Sequence, residues 1–192
     1  NPLTAYAHSK IGTEKDIKDI SLGKMTFTSL RFATACGWSE RLRLDLVLND
    51  FVACAMSSGQ ITVLSDGSPW RPLIDVEDMS RAIDWAINRN KNNGNQFLAV
   101  NAGKNSSNYQ VKDIANEVAK VITKTKISIN KDALPDKRSY SVDFSLYEKL
   151  APEFQPVITL DESIRRLRDG FLRMNFTNKN FRESSFFMRL YT

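Results

Sequence analysis

Tyr6 and Lys10 lie four residues apart in the opening stretch NPLTAYAHSK, so in a helix both project from one face. Those two residue types at that spacing could do acid–base chemistry. A free phenol ordinarily titrates near pH 10 and is a poor base at neutrality. An ammonium one helical turn away favours its ionised form. The pattern alone carries little weight in a chain with five Tyr and many Lys. The plain alternative is a Tyr on a solvated helix face with a Lys beside it. Metal chemistry has weaker candidates still. His8 is the single His, Cys36 and Cys54 are the two Cys, and neither Cys belongs to a Cys-x-x-Cys pair, so no metal site is expected. Two unpaired thiols suit a reducing compartment, which predicts a cytoplasmic protein.

The elements that would position the pair follow from periodicity. A helix is expected over residues 2–20, with Asn1 as its cap, Pro2 in the first turn and Gly23 at the stop. MTFTSLRF, residues 25–32, reads as a strand, and ATACGWSE as a loop of small residues. LRLDLVLNDFVACAM has helical spacing. ITVL and RPLIDV read as extended pieces on either side of the turn signal SDGSPW. EDMSRAIDWAINR is the next helix, capped by Asp75 or Glu77, and QFLAVN the next strand. VKDIANEVAKVI is amphipathic through Val111, Ile114, Ala115 and Val118, TKISI is extended, and Leu160, Ile164, Leu167 and Phe171 form a last helical stripe. Strands alternating with helices predict an α/β protein with parallel pairing.

The chain has 192 residues, of which 42% are hydrophobic, enough for a buried core rather than a disordered segment. No apolar run approaches the roughly 18 residues that cross a bilayer, so no membrane partner is expected. The net charge of +5 is spread among mixed acidic and basic residues. A nucleic-acid partner would call for a basic stripe with interleaved aromatics, and none is expected here. The nearest approach is the tail FLRMNFTNKNFRESSFFMRLYT, read as a helix end followed by an arm that packs on another surface.

Five stretches together resemble a known family: NPLTAYAHSK, LRFATACGWS, LNDFVACA, DGSPWRPLIDVEDMSRAI and DKRSYSVDFS. They are similar to the extended short-chain dehydrogenase/reductases, specifically the NAD-dependent epimerase/dehydratases that act on nucleotide sugars. The resemblance implies the back half of a Rossmann-like parallel sheet domain plus a smaller α/β substrate-binding lobe. Residues 1–60 would be the remainder of the cofactor domain, and residues 61–192 mainly the substrate lobe, with some elements returning to the first. In the family a Gly-rich phosphate loop precedes the Tyr-Lys pair. The eight Gly here are dispersed and contain no Gly-x-x-Gly-x-x-Gly, so about the first half of a parent protein is expected to be absent.

The same resemblance implies roles for individual residues. Tyr6 would be the acid/base that removes a proton from a sugar hydroxyl, and Lys10 would favour its ionised form and bond the nicotinamide ribose of NAD or NADP. Ala33, Ala35 and Gly37 would line the nicotinamide end of the cleft, where small residues let the backbone approach a cofactor; the alternative is an ordinary loop. Asn49, Arg71 and Arg138 would reach the substrate diphosphate. A diphosphate suits the planar, permanent cation of Arg, although either Arg could be an ordinary surface residue and Asn49 a surface amide. Asp75 and Asp78 are read as structural. The expected partners are a nucleotide sugar and a second copy of the protein in a homodimer. An alternative class is a cofactor-binding or regulatory protein of the same fold without turnover, whose expected signature is loss of Tyr or Lys.

Overall fold

The computed structural model describes residues 4–20, 22–133 and 139–183. Its first helix, α1, spans Ala5–Asp19 and starts one residue after its cap: the Thr4 hydroxyl accepts from the Ala7 amide at 3.2 Å. The expected cap, Asn1, and Pro2 lie outside the described residues. Strand β1, Phe27–Phe32, follows. Its continuation departs from expectation, because Thr34–Cys36 is a strand, β2, and not a loop. Three residues are too few to show alternation. They become a strand by pairing in parallel with Leu73–Asp75.

Helix α2, Val47–Ser58, ends at Gly59, whose φ of 67° supplies the left-handed stop that an L side chain resists. Strands β3, Gln60–Val63, and β4, Trp70–Asp75, come next. They then lead into α3, Val76–Asn88, and β5, Phe97–Ala102. The short β6, Asn108–Gln110, was not expected from sequence. Helix α4, Val111–Val121, and β7, Lys126–Ile129, match expectation. The six-residue α5, Ser145–Leu150, is shorter than a periodic stripe needs and was missed. Helix α6, Leu160–Arg173, closes the regular structure.

Pairing is mostly parallel, as the alternation predicts. β1 pairs with β5 from Phe27↔Phe97 to Phe32↔Ala102, and β3 with β7 from Gln60↔Lys126 to Val63↔Ile129. β4 lies between β2 and the antiparallel β6. Two main cores result. One gathers α2, β3, α4 and α6 around Leu48, Val52, Ile61, Ile114, Val118, Ile164, Leu167 and Phe171. The other packs α3 and α5 on β5, with Trp85 meeting Tyr147 edge to face at 5.4 Å. The buried stripes on α4 and α6 are those that the apolar spacing marks. Of the tail, Phe176 and Phe181 pack on the first core, and residues 184–192 lie outside the described ones.

Candidate functional site

One wide cleft, about 1210 Å³, runs between one face of α1 and the β1–β2 segment. It brings together Tyr6, Lys10, Ala33, Ala35, Gly37 and Asn49, together with Arg43, which sequence reasoning did not single out. Tyr6 is 72% exposed, so its phenol is open to the cleft. Lys10 Nζ lies over the Tyr6 ring, 5.3 Å from its centroid. That is the one-face geometry of residues four apart on a helix.

Helix α1 buries none of its own residues. Polar contacts hold it against β1 instead. Glu14 accepts from Ser29 Oγ at 2.7 Å and from Arg31 Nε at 2.9 Å, and also forms an ion pair with the Arg31 Nη2. The Arg31 hydrogen bond, opposed by desolvation and helped by Ser29, keeps the Glu14 carboxyl below the usual glutamate range.

Across the cleft, the chain from Gly37 to Arg43 is tied at both ends by one side chain. Asn49, on the first turn of α2, is 2% exposed. Its Oδ1 accepts from the Gly37 amide at 3.0 Å, and its Nδ2 donates to the Arg43 carbonyl at 2.9 Å and to the Gly37 carbonyl at 3.4 Å. Asn49 is thus a buried amide bonded to backbone, unlike the surface amide weighed in the sequence. The Arg43 guanidinium pairs with Asp45, and that hydrogen bond, opposed by desolvation, is the main cause of its raised pKa.

Beneath Gly37 lies Asp75. It caps α3, accepting from the Glu77 amide at 3.1 Å through Oδ1, as expected, and it accepts from Ser163 Oγ at 2.5 Å through Oδ2. Burial raises its pKa, only partly offset by these two bonds, with the nearby Asp78 and Glu77 adding to the rise. Asp78 is structural too, receiving the Val157 and Ile158 amides at 3.0 and 3.1 Å. No local signal points from Asp75 to Ser163, which is 88 residues away along the chain. Both Cys are free and buried. Burial pushes the Cys36 thiol far above its ordinary range and the Cys54 thiol up to about 11.

Arg71 stands outside the cleft lining. Its Nη1 donates to the Trp70 carbonyl at 2.7 Å and its guanidinium lies 5.8 Å from the Tyr140 ring centroid. The Tyr140 hydroxyl in turn lies 3.3 Å from Thr34 Oγ1, at the cleft edge. Arg138 lies outside the described residues.

Comparison with known proteins bears on the fold and the family. The chain is similar in fold to MoeE5 in complex with UDP-glucuronic acid and NAD, with a TM-score of 0.73 at 20% identity over 91% of this chain and 57% of that one. It is similar to UDP-glucose 4-epimerase from Brucella ovis in complex with NAD, with a TM-score of 0.70 at 21% identity over 89% of this chain and 57% of that one. It is also similar to TunA, an NAD-dependent NDP-hexosamine 5,6-dehydratase of tunicamycin biosynthesis, with a TM-score of 0.73 at 19% identity over 94% and 56%. At these identities the likeness is one of fold, and the chain spans little more than half the length of each. Residues 1–103 match the model of a family described as the NAD dependent epimerase/dehydratase family, and the chain therefore belongs to that family.

Proposed function

We propose that this chain is the C-terminal part of an NAD(P)-dependent nucleotide-sugar epimerase or dehydratase in which Tyr6 is the acid/base. The observation that carries the reading is the cleft itself: an open Tyr6 phenol with Lys10 against it, facing a floor that includes the small residues Ala33, Ala35 and Gly37. Ala33, Ala35 and Gly37 put no large side chain into that floor, which fits the nicotinamide end of a dinucleotide. The pyrophosphate end is a different matter. A dinucleotide phosphate normally sits on a Gly-rich turn at a helix N-terminus, and this sequence has no such turn. Cofactor affinity and turnover are therefore proposed for a longer protein that carries these residues, and not for the 192-residue chain alone.

A bound NAD or NADP would supply hydride transfer from and back to a sugar carbon. In this reading Tyr6 Oη takes the proton of the hydroxyl on that carbon and gives it back on the return step. The Lys10 ammonium favours the phenolate by charge and donates to the nicotinamide ribose. Arg71 and Arg138 are proposed to meet the diphosphate, where Arg can bond two oxygens at once. Support for Arg71 is its stacking on Tyr140, which reaches the cleft edge through Thr34. A homodimer is proposed as well, and the α1 surface, with no buried side chain, is its candidate contact.

The test is Tyr6→Phe in the full-length protein, which keeps the ring and removes the titratable oxygen. Turnover is expected to fall about 10²–10⁴-fold, the range of a general base, with cofactor binding retained. Lys10→Met should weaken cofactor binding as well. Near-normal turnover of Tyr6→Phe would overturn the assignment and favour a protein of this fold that binds without catalysing.

A further inference from the structure

We propose that Asn49, Asp75 and Ser163 are positioning residues that clamp the Gly37 turn from both sides and so set where the 37–43 loop faces Tyr6. The proposal rests on the reading of Tyr6 given above, and it assigns Asn49 to the loop instead of to the substrate. Three observations carry it.

The first is the use of the Asn49 amide. An Asn side chain has one carbonyl oxygen and two N–H donors. Here the oxygen accepts from the Gly37 amide and the nitrogen donates to carbonyls at Gly37 and Arg43. Gly37 begins the loop and Arg43 ends it, so one buried side chain closes a seven-residue segment like a staple. A phosphate oxygen could bond the Asn49 N–H groups only by displacing the Gly37 and Arg43 carbonyls that they now hold.

The second is the other face of the turn. Gly37 has a φ of +99°, and a Cβ there would stand 2.3 Å from Asp75 Oδ2. The Asp75 carboxylate is thus packed directly on the Gly37 backbone. It cannot turn away, because Oδ1 holds the Glu77 amide and Oδ2 holds the hydroxyl of Ser163, itself 2% exposed. Parallel pairing of Cys36 with Asp75 fixes the same register through the main chain.

The third is the origin of the support. Ser163 and Gly170 are seven residues apart on α6, hence on one face. Ser163 fixes Asp75 beneath Gly37. Gly170 leaves room for the Trp38 ring, which a Cβ at that position would meet at 2.1 Å. The same helix face therefore holds the turn at Gly37 and the residue after it. No described residue of α6 lines the cleft, and the helix acts on it through Asp75 and Trp38, the latter also touched by Phe171, which makes its partners positioning groups and not catalytic ones.

The experiment uses the full-length protein with Asn49→Ala, Asn49→Asp and Ser163→Ala. Hydrogen exchange is measured over residues 37–43 and over α4, and kcat and KM for the nucleotide sugar are measured alongside. Asn49→Ala should raise exchange at Gly37 about tenfold or more while α4 is unchanged, since it removes the bond that protects that amide. It should lower kcat about 10–100-fold, the scale of a misplaced reacting geometry, with KM changed less than about threefold. Asn49→Asp keeps an acceptor for Gly37 but turns an oxygen towards the Gly37 and Arg43 carbonyls, so it too should raise exchange over residues 37–43. Ser163→Ala, a minimal change in volume, should loosen the same loop to a smaller extent. A large rise in KM with kcat and loop exchange unchanged would overturn the proposal and return Asn49 to the diphosphate. Unchanged exchange in both Asn49→Ala and Ser163→Ala would also overturn it. Tyr6→Phe separates the two readings. It should lower kcat without altering loop exchange, and if it leaves kcat normal, the catalytic reading fails while the exchange data still decide the clamp.

Discussion

Helices α1 and α6 are nearly the same length, 15 and 14 residues, and each starts at a Thr hydroxyl 3.2 Å from an amide. There the likeness ends. Helix α6 buries Ser163, Ile164, Leu167, Gly170 and Phe171, whereas α1 buries nothing. The cause is written in their apolar spacing. Leu160, Ile164, Leu167 and Phe171 return to one side of α6 every three or four residues. Helix α1 has Ile11 and Ile17 six residues apart and is otherwise polar or small around its middle. A helix without an apolar stripe must be held by polar contacts, here those of Glu14. The lesson is that the helix bearing the candidate chemistry is weakly anchored to this chain. The helix that supports the opposite wall of the cleft is part of the core.

Substitutions can sharpen or break that contrast. The largest effect is expected for Phe171→Ala. Its ring is fully buried and contacts Trp38 edge to face at 5.8 Å and Phe176 at 4.7 Å. Truncating a buried Phe costs about 3–5 kcal/mol, so urea unfolding should show a loss of that size. Ile11→Ala on α1, 38% exposed, should cost less than about 1 kcal/mol. Similar losses at both positions would erase the contrast.

Gly170→Ala comes next. Ala is ordinarily the better helix former, but its Cβ would press into the Trp38 ring at 2.1 Å. Overpacking of this kind costs about 1–3 kcal/mol, so the substitution should destabilise, and the 37–43 loop should move with it. A neutral or stabilised Gly170→Ala would mean that Trp38 gives way without strain.

The smallest effect belongs to Glu14. Its carboxyl is held below the ordinary glutamate value, about 4.3, chiefly by the Arg31 hydrogen bond. A group with a depressed value in the folded state contributes its stability above the unfolded value and loses it as pH falls through the folded one. Docking of α1 on β1 should therefore weaken below about pH 4, seen as faster exchange in α1 but not in α6. Glu14→Gln should remove that acid sensitivity and cost under about 1 kcal/mol, as expected of an exposed pair. An α1 equally protected at pH 3 and pH 7 would show that the ion pair is not what holds it.

Short-range periodicity and residue chemistry were legible along the chain. The stripes of α4 and α6, the Asp75 cap and the alternation of strand and helix could all be read locally, because burial on one helix face repeats every three to four residues. Tyr6 and Lys10 could be paired for the same reason, and the cleft does contain both. Contacts between distant segments came from packing alone. Strand β2 exists because Leu73–Asp75 runs beside it, α5 and β6 are too short to carry a period of their own, and Arg43 reaches the cleft through the path of its loop. Asn49 closing the loop, Ser163 on Asp75 and Trp38 on Gly170 are contacts between residues 12, 88 and 132 positions apart in the chain. No local pattern specifies such partners, since an amide, a hydroxyl or a glycine has the same propensity whatever it will meet. Their roles are set by which backbone groups the packing of α2, α3 and α6 leaves within reach.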